Sequence, residues 1–102
     1  MTARNRDQRT AARRYACKPE VAWVVEDDGI LLVNRATGTT RFLGYPEAAV
    51  WDLLSRGRSF ARAVSTLRAT TERDAAEAER LVRDCIRQWV DAGILTEASD
   101  HG

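Results

Sequence analysis

The chain has 102 residues, 44% of them apolar and 30% charged, with a formal net charge of +1. That is enough for one small domain around one core, and apolar runs such as Ile30–Val33 are far too short for a membrane span or a signal-peptide core. A cytoplasmic protein that binds no membrane is therefore expected.

The charge is unevenly placed. Residues 1–18 carry six basic groups against Asp7 alone, a net of +5, and the rest of the chain has a net of −4. Such an end reads as a solvated, disordered basic tail ahead of a mildly acidic body. Residues 97–102 read as a flexible C-terminus.

After Pro19, Val21 to Val25 is rich in β-branched and aromatic residues, with Val21, Trp23 and Val25 on one face. Asp27-Asp28-Gly29 is a hairpin turn signal. Ile30 to Asn34 is the second strand, Ala36-Thr37-Gly38 the second turn, and Thr39 to Leu43 the third strand. Three short strands joined by tight turns make an antiparallel meander, whose first and third strands are both edges.

Three helices follow. Pro46 opens the first, since proline costs no intrahelical bond there, and Gly57 stops it after Val50, Trp51 and Leu54 form a buried stripe. Ser59 is placed to cap the second, in which Phe60, Ala63, Val64 and Leu67 fall at helical spacing. Asp74 and Glu77 have the spacing of a capping box for the third, which runs to about Ala92 and stops at Gly93. Its stripe of Ala78, Leu81, Val82, Cys85, Ile86, Trp89 and Val90 is wider than a two-position seam. Ile94-Leu95-Thr96 reads as a short extended segment. Trp23, Trp51 and Trp89 sit on the apolar faces of three different elements, which marks them as core.

No chemistry is assembled. The sequence has no Gly-rich phosphate loop, no HExxH and no GxSxG. The two cysteines form no CxxC, the only histidine is His101 near the C-terminus, and no metal or cofactor site is expected. An enzyme is not expected.

Thr37-Gly38, Phe42-Leu43 and Ala48 to Leu54, with the opening Pro19 to Val25 and the closing Trp89-Val90-Asp91-Ala92-Gly93-Ile94-Leu95, resemble the PqqD family of peptide chaperones, also called RiPP recognition elements. The resemblance spans residues 19–96. Where many members carry Leu-Asn before the first helix, this chain has Leu43-Gly44. The resemblance implies an α+β, winged helix-turn-helix-like fold: a three-stranded antiparallel meander, then three helices. It implies that the domain binds the leader of a ribosomally made precursor peptide. A separate modifying enzyme, such as a radical-SAM enzyme, cyclase or peptidase, then receives the core peptide. It places the groove between the third strand and the third helix.

That role suits the chain, because the third strand is an unblunted edge with Arg41 as its only charge. A leader could add to it as a further strand. The expected peptide-binding residues are Thr39, Thr40, Arg41, Phe42 and Leu43 on the strand. On the helix they are Ala78, Leu81, Val82 and Cys85, whose modest size leaves room for a peptide's anchors. Arg80 and Arg83 could pair with leader carboxylates or equally with Glu77, Glu79 or Asp84. The main alternative is a winged-helix DNA-binding regulator. Residues 72–87 hold five acids against four arginines, which is the wrong balance for a recognition helix, so no nucleic acid is expected. A third reading is an interaction module that docks an enzyme with no peptide cargo.

Overall fold

A computed structural model describes residues 9–98 of the chain. Residues 1–8 and 99–102, with His101 and the outer parts of both expected flexible ends, lie outside the described residues. In chain order the elements are β1 (Tyr15–Cys17), β2 (Val21–Glu26), β3 (Gly29–Asn34), β4 (Thr39–Gly44), α1 (Glu47–Ser55), α2 (Phe60–Thr70), α3 (Ala75–Asp91) and β5 (Leu95–Glu97).

The fold is α+β, as expected. Strands β2, β3 and β4 form an antiparallel sheet in that order, and the three helices follow. Alternation sends Val21, Ile30, Leu32 and Leu43 into the core. Gly29 was expected to serve the β2–β3 turn, yet the glycines with positive φ are Gly38, Gly57 and Gly93. Gly29 instead opens β3. A Cβ there would run into the Leu43 carbonyl oxygen and come within 2.6 Å of the Phe42 ring. Close approach, not turn geometry, requires glycine at this position.

The helix boundaries follow local chemistry. Pro46 caps α1 instead of forming its first turn, and its carbonyl accepts from the amides of Ala49 and Val50 at 3.0 and 3.3 Å. The Ser59 hydroxyl accepts from the Arg62 amide at 3.2 Å. Asp74 and Glu77 form the reciprocal capping box of α3, at 2.9 and 3.2 Å, a feature worth about 1 kcal/mol. Gly57 and Gly93 follow α1 and α3 with φ of 80° and 76°.

The three tryptophans form the centre of the core. Trp51 is fully buried and meets Trp23 and Trp89 edge to face, with ring centroids 5.8 and 5.3 Å apart. Such contacts add about 0.5–1.5 kcal/mol each to the gain from burial.

The expectation of a disordered tail over 1–18 needs correction at its inner end. Residues 9–12 are helical, and β1 pairs antiparallel with β5, Ala16 opposite Thr96. Lys18 donates its amide to the Ile94 carbonyl at 3.0 Å, and the Ala98 amide donates to Arg14 at 2.9 Å. Tyr15 is buried against the core, and Arg13 reaches Glu97 at 3.5 Å. A three-residue strand has too little alternation to announce itself. Its partner lies 80 residues away, so basic composition dominated the reading. Glu97, at the expected start of the flexible C-terminus, is the last residue of β5.

Candidate functional site

Strand β4 is one of the two outer strands of the sheet, and its register fixes which backbone groups face outward. The Arg35 amide donates to the Glu20 carbonyl at 2.8 Å, on the β2 side of β3. By alternation Val33, Leu31 and Gly29 also turn toward β2, leaving Asn34, Leu32 and Ile30 to bond β4. The bond from the Gly38 amide to the Asn34 carbonyl, 2.7 Å, agrees. Asn34, Leu32 and Ile30 stand opposite Thr39, Arg41 and Leu43, whose amides and carbonyls therefore point inward. Thr40, Phe42 and Gly44 carry the outward N–H and C=O groups of the open edge.

Side chains on β4 divide the other way. Thr39, Arg41 and Leu43 share the face that holds the buried Leu32 and Ile30, which is the helix side. Thr40 and Phe42 lie on the opposite face. Each expected strand residue thus offers either a side chain to the helix side or a backbone to the edge, and none offers both.

The helix wall differs from expectation. Ala78 and Val82 are fully buried and Cys85 is 4% exposed. All three belong to the core and line none of the clefts beside β4. Leu81 is half-buried and also packs against the core. The reason is that α3 packs against both α2 and α1, and its small apolar residues join the core there. Burial pushes the Cys85 thiol from its ordinary 9.0 up to about 12, with the charges of Glu47 and Asp84 acting in the same direction. It is a neutral core side chain.

The clefts beside β4 lie further along α3. One of about 420 Å³ is lined by Arg41, Phe42, Leu43, Gly44, Glu47, Gln88 and Trp89. A second, of about 190 Å³, is lined by Leu32, Asn34, Thr39, Thr40, Arg41, Ala92 and Ile94. Arg41 borders both and enters no salt bridge among the described residues. Gln88 and Ala92 do not stand out in the sequence, because one is polar and the other lies at the helix end. Their signal was periodicity: 81, 85, 88 and 92 follow one stripe, and the last two of these meet the strand.

A further cleft lies elsewhere. It measures about 520 Å³ and sits between residues 10–11, α2 and the start of α3, with Phe60, Arg68, Glu79 and Arg83 in its lining. It has no open backbone edge, and the Arg83 guanidinium is already stacked 5.7 Å from the centre of the Phe60 ring. The β4 clefts are the better site because, unlike this one, they adjoin unpaired ladder groups on a strand that also faces α3. Among the described residues no cluster of His, Cys, Asp and Glu is suited to a metal ion, and no helix is long and apolar enough to cross a membrane.

Two solved structures share this architecture. One is described as lasso peptide synthetase B1 complexed with the leader peptide. It is 22% identical, with a TM-score of 0.76 over 81% of this chain and 98% of that one. The other, TbiB1 in complex with the TbiA(beta) leader peptide, is 26% identical, with a TM-score of 0.77 over 83% of this chain and 99% of that one. No curated protein matches. The family described as coenzyme PQQ synthesis protein D (PqqD) matches residues 31–95, more than half of the sequence, from within β3 to the start of β5. The chain belongs to the PqqD family.

Proposed function

We propose that this protein binds the leader segment of a ribosomally synthesised precursor peptide as an added strand on β4. It then presents that peptide to a separate modifying enzyme, such as a radical-SAM enzyme, a cyclase or a peptidase, and itself acts as a non-catalytic carrier. The observation that carries the reading is the open edge of Thr40, Phe42 and Gly44 running beside the clefts that reach α3. The two similar structures, both described as complexes with leader peptides, support it.

The energetics divide the task. Each edge residue offers one donor and one acceptor, and a backbone hydrogen bond contributes about 0.5–1.5 kcal/mol net. Micromolar affinity needs about 8 kcal/mol after the cost of association, so the edge alone is insufficient. Peptide side chains on the helix side must supply the rest by filling the clefts between β4 and the end of α3, beside Gln88 and Ala92. Backbone bonding accepts any sequence, and these clefts select among sequences. Arg41, between the two clefts, is the cation a leader carboxylate would meet.

The test is a fluorescence-polarisation titration with the labelled leader of the precursor encoded beside this protein. Saturable binding at micromolar concentration is expected. No binding there, together with duplex DNA binding of steep salt dependence, would overturn the proposal in favour of a DNA-binding regulator.

A further inference from the structure

Of the large exposed apolar side chains, all but Val90 on α3 gather at one end of the sheet. Val24, Val25, Phe42 and Tyr45 are 50–64% exposed, and all four lie toward the β2–β3 turn. Val24, Leu31 and Phe42 stand in one row across the three strands, on the face turned away from the helices. Val25 and Tyr45 continue the patch around the end of the sheet, lining a cleft of about 300 Å³ against α1. Soluble domains seldom leave so much contiguous apolar surface without a partner.

Beside the patch is the turn itself, with Glu26, Asp27 and Asp28 in succession and all exposed. None of the three enters a salt bridge among the described residues, whereas Asp52, at the cleft's far side, is paired with Arg56 at 3.1 Å. The patch thus has an uncompensated acidic border. It also runs without a break into the open edge, because Phe42 contributes its backbone to the edge and its ring to the patch.

We propose that this end of the sheet is the docking surface for the modifying enzyme, which meets it with an apolar face bordered by lysine or arginine. The proposal rests on the peptide-delivery reading and adds to it: one surface holds the peptide and an adjoining one holds the enzyme. Two other occupants fit less well. A second copy of the chain would bring another acidic turn, and Arg56 at the cleft is already paired with Asp52. Residues 1–8 have the right charge, but Met1 is their only large apolar side chain, too little to cover four exposed hydrophobes.

The test uses the full chain, the leader of the neighbouring precursor and the enzyme encoded with them that acts on that precursor. Two double variants are made, Val24→Ser with Val25→Ser, and Asp27→Lys with Asp28→Lys. All four positions are exposed and none lies on the β4 edge. Leader affinity is expected to stay within twofold of wild type in both. Affinity for the enzyme, measured without leader by biolayer interferometry, should fall at least tenfold in the serine variant. In the lysine variant it should fall with a reduced salt dependence. Unchanged enzyme affinity in both variants overturns the proposal. So does an equal loss of leader affinity, which would make the patch part of the peptide site. A wild-type dimer in sedimentation that the serine variant dissociates also overturns it, since a second copy would then be the occupant. A wild type that binds the enzyme through this patch but binds no leader supports the docking surface and overturns the peptide-delivery reading instead.

Discussion

Strand β4 and helix α3 face one another across the clefts, and they use their residues in opposite ways. The helix commits Ala78, Val82, Cys85 and Trp89 to the core and leaves Gln88, with Ala92 just beyond it, toward the strand. The strand commits only Leu43 to the core and leaves Thr39, Thr40, Arg41 and Phe42 exposed. A helix satisfies its backbone internally, so it can offer a partner only side chains. An edge strand keeps half its backbone groups unpaired, so it can bind through the main chain whatever its side chains do. The helix is therefore the rigid wall and the strand is the reactive one.

The largest expected effect comes from the helix core face. Trp89→Ala should lower unfolding stability by about 3–5 kcal/mol, read from the midpoint of a guanidinium titration. A normal midpoint with lost leader binding would instead move Trp89 from the wall's support into the peptide site proper. On the strand, paired proline substitutions sharpen the contrast. Arg41→Pro removes an inward amide and should lower the denaturation midpoint clearly. Thr40→Pro removes an outward one, should change stability by less than about 1 kcal/mol, and should weaken leader binding about tenfold. If the two prolines reverse these effects, the register assigned to the edge is wrong.

Smaller effects follow from charge. Arg41→Gln should weaken an acidic leader a fewfold at low salt and hardly at all at high salt, since exposed pairs are worth at most about 1 kcal/mol. Charge also tests the buried half of α3 through Cys85, whose thiol ionises near 12 when folded against an ordinary 9.0. Between those values the folded state keeps a proton that the unfolded chain has lost, so stability falls as pH rises from 9 toward 12 and is unaffected below. Burial also raises Tyr15 from 10.0, partly offset by Arg13, and so adds to the same loss. Iodoacetamide at pH 8 should modify half-buried Cys17 before Cys85, which should react only on unfolding. Mass spectrometry of the labelled peptides would reveal the opposite order.

Much of this was legible in the chain because its signals are local. The cap at Ser59, the Asp74–Glu77 box and the stops at Gly57 and Gly93 each depend on a few neighbouring residues, and all are present. The meander follows from period-two alternation, and the identity of β4 as an outer strand follows from its place as the third of three. The composition of the tail, by contrast, concealed β1, whose bonds go to a strand at the other end of the chain.

The sequence by itself thus determined the meander, the three helices and the place of β4 at an edge, since all rest on periodicity and turn chemistry. It could not say which flank of α3 is spent on the core, because Ala78, Leu81, Val82 and Cys85 form one continuous apolar stripe. Only the packing of the helices against one another decided that the early part of this stripe is interior, so that the clefts beside β4 open instead at Gln88, Trp89 and Ala92. Gly29 makes the same point on a smaller scale. Its place beside a turn was written in the sequence, but its necessity comes from Phe42 and Leu43, which only the folded sheet brings against it.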